Sequence, residues 1–141
     1  MASRRPGAEM VSRAREMLKR PSAPPGWQRY EMIYASRVLQ RAAAPEFVQL
    51  PLQVFRIGDL ALMTVPAETF VEIGLELKAK APFPKAFAIS QANGAFGYLP
   101  TVEQHRLGGY ETWIGTNELE VEAAPKIVAA LLRLAGEMQP K

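Results

Sequence analysis

Residues 60–90 narrow the choice of fold more than any other part of this chain, because they read as strand, helix, strand. Leu60 to Val65, LALMTV, is an unbroken apolar run of the kind found in sheets covered on both faces. Pro66 ends it. A helix is predicted from about Glu68 to Ala79, with Phe70, Ile73, Gly74 and Leu77 on its inner face and Pro82 and Pro84 closing it. Lys85 to Ser90, KAFAIS, reads as a second short buried strand. A strand–helix–strand unit joins parallel strands. Upstream, Phe47 to Ile57 alternates loosely, with Pro51 implying an edge or a bulge, and Gly58-Asp59 is a tight-turn dipeptide. Residues 47–65 are thus expected to form a hairpin whose second strand is central. The expected fold is α/β: a mixed sheet with a βαβ unit, strands at about 47–57, 60–65 and 85–90, and flanking helices.

Helices are predicted on either side of this unit. Residues 8–20 place Met10, Ala14 and Leu18 along one side, and Pro21 to Gly26 reads as a linker. Gln28 to Ala44 repeats Tyr30, Ile33, Tyr34, Val38 and Leu39 at three-to-four spacing. Residues 101–107 form a short helix with Thr101 as N-cap, and Glu122 to Met138 forms the last, with Pro125 in its first turn. The expected organisation is a basic N-terminal helix and proline-rich linker over 1–26, followed by one domain over 27–141.

Composition removes several classes of function. The chain has 141 residues, no cysteine and one histidine, His105. A thiolate site is excluded, and so is a self-contained multi-histidine zinc site. The net charge of +3 is concentrated in Arg4, Arg5, Arg13, Arg15, Lys19 and Arg20. These suit a solvated helix face, or else an anionic partner. The aromatic residues do not alternate with a basic groove, so nucleic-acid binding is not expected. The N-terminus lacks the apolar stretch of a signal peptide, and no run reaches the ~20 residues of a membrane helix. The expectation is a soluble chain with no readable address.

The site candidates lie beyond the carboxyl ends of the two parallel strands, where ligands bind in open α/β sheets. Glu68 follows the first strand in Pro66-Ala67-Glu68. It reads either as a metal ligand or general base, or as an acid favoured by a helix N-terminus. The second strand leads into Asn93-Gly94, a loop whose amides suit an anion or a substrate oxygen. Tyr110 follows Gly108-Gly109, where glycine's conformational freedom allows a sharp bend that aims the ring inward. It reads as a metal ligand or oxyanion donor, or as a partly buried tyrosine bonded to backbone. His105 reads as a ligand, a proton shuttle or an exposed side chain. Asn93, Gly94 and His105 form a candidate substrate loop. No residue is singled out as catalytic, and there is no GxSxG, P-loop, GxGxxG or HExxH motif.

The ordered set GDLALMTVPAETFVEIG, APFP, NGAFGYLPT and GGYET resembles the neutral/alkaline non-lysosomal ceramidase family, especially its shorter bacterial relatives. The resemblance covers most of residues 28–136. It implies a zinc-dependent amide hydrolase that splits ceramide into a sphingoid base and a fatty acid. The family holds zinc with two histidines, a glutamate in a proline-small-glutamate turn and a tyrosine in a tyrosine-glutamate pair. The last two map to Glu68 and to Tyr110 in Tyr110-Glu111. The family's zinc histidines and its serine lie upstream of the matching part, so the resemblance is to the C-terminal part of the catalytic domain only. After Tyr110 the family continues with a tyrosine-rich stretch, where this chain has Thr112-Trp113-Ile114-Gly115-Thr116. The family's C-terminal immunoglobulin-like domain has no counterpart.

Two functions follow as expectations. The first is a partial zinc amide hydrolase of ceramidase type, supplying Glu68 and Tyr110 to one zinc ion. It would be completed by an upstream half-domain carrying the histidines and be inactive alone. Ceramide, another N-acyl lipid and a small amide all satisfy that description. On this reading LALMTV and KAFAIS expose apolar surface when the chain is alone, and the chain associates. The second is a non-catalytic α/β domain acting in protein association.

Overall fold

The computed structural model describes residues 1–20 and 27–139, and the side chains of residues 27–29 are not described. The linker expected at 21–26 lies outside the described residues. The chain is α/β, with a three-stranded mixed sheet at its centre. Strand β1 (Gln53–Ile57) pairs antiparallel with β2 (Leu60–Thr64) through the Gly58-Asp59 turn, where Gly58 has φ 58°. Strand β2 in turn pairs parallel with β4 (Lys85–Ile89), so the sheet order is β1-β2-β4. The connection from β2 to β4 carries β3 (Glu68–Thr69) and helix α3 (Val71–Lys80). A second small sheet forms where β3 runs parallel to β5 (Tyr98–Leu99).

Four expectations are corrected by the structure. Only the second half of 47–57 is a strand: the exposed Pro51 has no N–H to give a ladder, and Phe47 makes an isolated bridge to Ala2 instead. Glu68 lies in β3 rather than in the first turn of a helix, so the helix-dipole reading of its carboxylate falls away. The run LALMTV is not buried on both faces. Ala61 and Met63 are buried on the helical side, while on the other side Leu60 and Leu62 are only partly buried and Thr64 alone is buried. The second parallel strand is likewise not buried, since Phe87 and Ile89 are exposed.

Helix α5 (Ala123–Glu137) covers the other side. Ile127, Val128, Leu131 and Ala135 recur along one stripe and are all buried. They meet Met63, the inner residues Ile73 and Leu77 of α3, and the partly buried Val54, Ala86 and Ala88. The register explains the division. Val54, Met63 and Ala88 stand in one row and face the helices, whereas Phe55, Leu62 and Phe87 stand in the next and face away.

A helical hairpin packs beside this body. Helices α1 (Ala8–Leu18) and α2 (Trp27–Ala43) bury Ala14, Ala35 and Val38 between them, and Met10, on the same side of α1 as Ala14, is exposed. The hairpin is tied to the body by Arg41, whose Nη1 pairs with Glu118 Oε2 at 3.0 Å and whose Nη2 donates to Glu118 O at 3.1 Å. Residues 1–4 thread between two body segments. The Met1 ammonium donates to Val48 O, Ser3 N to Glu46 O, Arg4 N to Glu118 O, and Ala2 O accepts from Glu120 N. Helix α4 (Val102–Leu107) starts at Thr101, whose hydroxyl accepts from Gln104 N at 3.3 Å as the sequence predicts.

Candidate functional site

The turn that follows β2 is fixed by the loop that follows β4. Val65, Pro66 and Ala67 are buried, and their carbonyls accept in order from Ala92 N, Phe96 N and Gln91 N, each at 3.0 Å. Gln91 and Asn93 adopt left-handed φ of 54° and 63°, which coil the loop onto the turn. A Cβ on Gly94 would stand 2.9 Å from Pro66 Cβ, so glycine is what permits this approach. Ser90 Oγ donates to Ala67 O and accepts from Thr69 N, closing the turn from the β4 side. Glu68 leaves this rigid corner with its N–H on Gly97 O at 2.9 Å and its side chain exposed.

Tyr98 is the residue opposite Glu68 in the parallel β3–β5 pair. It sits on the same side as Glu68, near enough for the carboxylate to act on its phenol. Tyr110 reaches the same point from the other direction, its hydroxyl donating to Tyr98 Oη at 2.6 Å. The two rings meet edge to face at 5.3 Å. Gly108 and Gly109 lie at φ 82°, ψ −155° and φ 105°, ψ 161°, a region open essentially only to glycine. That is how the chain turns Tyr110 towards Tyr98. The Tyr98 phenol is held well above its ordinary range, first by the Tyr110 hydrogen bond, then by burial, then by the bond and charge of Glu68. It therefore stays protonated, bonded to the Tyr110 phenol and beside the Glu68 carboxylate.

Asn117 anchors this arrangement from beneath. It is fully buried, its Nδ2 donates to Tyr98 O at 2.9 Å, and its Oδ1 accepts from Arg4 Nη1 at 3.0 Å. Arg4 Nη1 also donates to Thr112 O and lies 3.4 Å from His105 Nδ1. His105 is half-buried and faces this guanidinium. Burial, then the charge of Arg4, lowers its pKa, with Glu122 opposing. Burial also lowers the pKa of Arg4.

The sequence-derived candidates therefore divide. Glu68 and Tyr110 come together through Tyr98. Asn93 donates from its amide to Gln53 Oε1, and His105 turns to Arg4. Neither is bonded to the Glu68–Tyr98–Tyr110 cluster, so the substrate loop is not one assembled group with it. Sequence reasoning missed Tyr98 and Arg4. For Tyr98 the available signal was the parallel order of the two loops, which puts GYLP beside AETF; for Arg4 no local signal exists, because its partners lie more than 100 positions away.

An open groove of about 880 Å³ adjoins Tyr110, between α1, α2 and the segment from Gly108 to Ile114. Met10, Met17, Val38, Trp113 and Ile114 make it largely apolar, and Arg4 and Glu31 add charge. Trp113 stands between two tyrosines, 5.1 Å from Tyr34 and 6.4 Å from Tyr110, edge-on to both.

The donor chemistry decides how far these residues fit a zinc ion. Zinc sites use four ligands drawn from imidazole, thiolate and carboxylate. The cluster offers one such donor, the Glu68 carboxylate, beside a phenol held in a hydrogen bond, so by itself it does not make a zinc centre. Among the described residues there is no group of three or more His, Cys, Asp or Glu side chains able to hold a metal. Among them also, no helix is long and apolar enough to cross a membrane.

No known family profile matches the sequence, and no curated protein matches it. Its fold is similar to part of a crystal structure of the neutral ceramidase from Pseudomonas aeruginosa, at a TM-score of 0.52 and 24% identity. The match covers 60% of this chain and 14% of that one, so the likeness is to a small part of a much longer protein and extends to the fold.

Proposed function

We propose that this chain supplies the glutamate–tyrosine half of a ceramidase-type zinc amide-hydrolase centre, with the imidazole ligands coming from outside these 141 residues. The observation that carries the reading is the meeting of Glu68 and Tyr110 beside Tyr98, in a chain whose fold is similar to part of a neutral ceramidase. Bound zinc would polarise an amide carbonyl and lower the pKa of its water. The chain's own work is positional. The Val65–Ala67 turn holds Glu68 outward, the two glycines aim Tyr110, and the protonated Tyr98 phenol stands between Tyr110 and the carboxylate. The substrate class on this reading is an N-acyl amide, and the apolar groove beside Tyr110 suits its hydrocarbon part.

Free imidazole can stand in for the absent histidines, and this gives the test. Zinc affinity of the purified chain is measured by titration calorimetry with and without imidazole, beside Glu68→Gln and Tyr110→Phe. The expected result is a 1:1 site that imidazole strengthens in the wild type and that both substitutions weaken at least ~10-fold, equivalent to about 1.4 kcal/mol. Equal zinc binding by all three proteins would remove the proposal. The second reading, association without chemistry, draws on a separate observation: the apolar side chains left exposed around β4.

A further inference from the structure

Arg4 is a half-buried cation that no carboxylate pairs with among the described residues. Its contacts are all neutral: Thr112 O, Asn117 Oδ1 at 3.0 Å and His105 Nδ1 at 3.4 Å. All of them fall on Nη1, so among the described residues Nε and Nη2 have no partner. Neither atom is sealed in, since the buried side-chain atoms without a partner are Ser3 Oγ, Arg41 Nε and Thr116 Oγ1. Arg41, also drawn into the fold, differs because it meets Glu118 at 3.0 Å. A charge partly withdrawn from water is costly until an anion offsets it. The fold nonetheless holds this one in place. Asn117 is fully buried behind the guanidinium, and Arg4 N donates to Glu118 O. The open edge is thus set before any ligand arrives.

Arg4 also stands in the wall of the groove of about 880 Å³ between α1, α2 and the segment from Gly108 to Ile114. Met17, Val38, Trp113 and Ile114 make the rest of that wall largely apolar. The other charges on it are exposed: Arg13 is engaged by Glu9 at 2.6 Å, and Glu31 is in contact with water. An apolar groove with one open cation selects a ligand of matching make-up.

We infer that this groove binds a carboxylate carried on a hydrocarbon chain, with the carboxylate on Arg4 and the chain along the apolar wall. The Nε–H and Nη2–H of Arg4 form a two-donor fork that matches the two oxygens of one carboxylate. One uncompensated charge calls for a monoanion, whereas a phosphate monoester carries about 1.5–2 charges and would leave part of them unpaired. The polar end of the ligand lies at Arg4 and not at Glu68, so the site stands whether or not Glu68 and Tyr110 bind a metal.

The test uses decanoate, decanamide and butyrate, each below any micelle concentration and in EDTA, so that zinc plays no part. Calorimetry on the wild type is expected to give one decanoate per chain, at least ~10-fold tighter than decanamide, which has the same chain and no charge. Butyrate, a carboxylate with little chain, is expected to show no saturable binding. Arg4→Gln is expected to bind decanoate no better than decanamide. Because Arg4 also supports Asn117, a second variant leaves it in place: Met10 lines the groove and is 45% exposed, so Met10→Glu keeps the fold and sets a like charge against the ligand. It is expected to weaken decanoate by ~10-fold or more with an unchanged circular dichroism spectrum. A carboxylate on Arg4 also offsets the cation beside His105. The midpoint of the ring in a proton NMR titration is therefore expected to rise with decanoate and not with decanamide. A wild-type chain that shows no saturable decanoate binding overturns the proposal, as does decanoate binding that survives Arg4→Gln or Met10→Glu in a folded protein. Decanamide bound as tightly as decanoate also overturns it, and leaves the groove to the amide of the zinc reading.

Discussion

Arg4 and His105 lie side by side, 3.4 Å apart at Nη1 and Nδ1, and the guanidinium bears on the protonation of the ring. For His105 Nδ1 to accept from the guanidinium, that nitrogen must carry no proton, so the neutral ring with its proton on Nε2 is the form that fits. Burial and the adjacent cation both oppose protonation, which is why the pKa falls below its usual value of about 6.5. The sign of the linkage follows. A histidine with a depressed folded pKa contributes stability that is fully present above about pH 6.5 and is lost as pH falls through the lowered folded value. The chain has one histidine, so its ring resonances report this site alone. A proton NMR titration is expected to place the midpoint below 6.5, and Arg4→Gln to move it part of the way back up. A midpoint that does not respond to Arg4→Gln would mean that the guanidinium does not act on the ring. Residue-level legibility followed the range of the contacts. Glu68 and Tyr110 stand in recognisable turns, Pro66-Ala67-Glu68 and Gly108-Gly109-Tyr110, whereas Tyr98 and Arg4 acquire their roles only from partners distant in sequence.

Elements were legible where one local rule decided them. The βαβ unit, the Gly58-Asp59 hairpin, the Thr101 cap and the placement of Pro125 each rest on residues a few positions apart, and each is present. The errors came where tertiary pairing overrode local pattern. Residues 47–52 have strand-like alternation, but Phe47 and Val48 pair with residues 1–3, and Glu68 was taken into β3 because β5 lies beside it. Burial was misjudged for the same reason, since the coverage of a strand depends on which layers pack on it and not on its own sequence. The two glycines 97 and 74 separate these effects. A Cβ on Gly97 would stand 2.2 Å from Thr116 O, at φ 69°, in the segment that delivers Tyr98 to Glu68. Gly97→Ala is therefore expected to destabilise the fold by on the order of 3 kcal/mol, from steric conflict added to left-handed strain. Gly74 sits inside α3 with nothing within 4 Å of its missing Cβ, so Gly74→Ala is expected to stabilise by about 0.5–1 kcal/mol. Urea unfolding of both variants beside the wild type measures the difference. Similar midpoints would show that the Gly97 region yields more than its geometry implies.

At the scale of the whole molecule, the asymmetry of the sheet matters most. Helices α3 and α5 cover one face, and the other leaves Phe55, Ile57, Phe87 and Ile89 exposed, although parallel sheets normally have both faces packed. A chain with such a sheet gains stability from anything that binds its folded form and not its unfolded form. The Arg4 site is open to such a ligand, because Arg4, Thr112 and Asn117 come together from positions more than 100 apart only in the folded chain. If decanoate binds there, the folded state is coupled to its concentration by mass action, a gain of about 2.7 kcal/mol at a hundredfold excess over Kd. The midpoint of thermal unfolding is then expected to rise with decanoate in the wild type and to stay constant with butyrate. Arg4→Gln lacks the charge that the carboxylate uses, so its midpoint is expected to stay nearly constant with decanoate as well. The comparison also separates the groove from the metal site. Glu68 does not line the groove, so Glu68→Gln is expected to keep the wild-type dependence on decanoate while losing zinc affinity. Scanning calorimetry over about a hundredfold range of decanoate concentration decides between the two. A wild-type midpoint independent of decanoate would leave the Arg4 guanidinium balanced by its neutral acceptors alone.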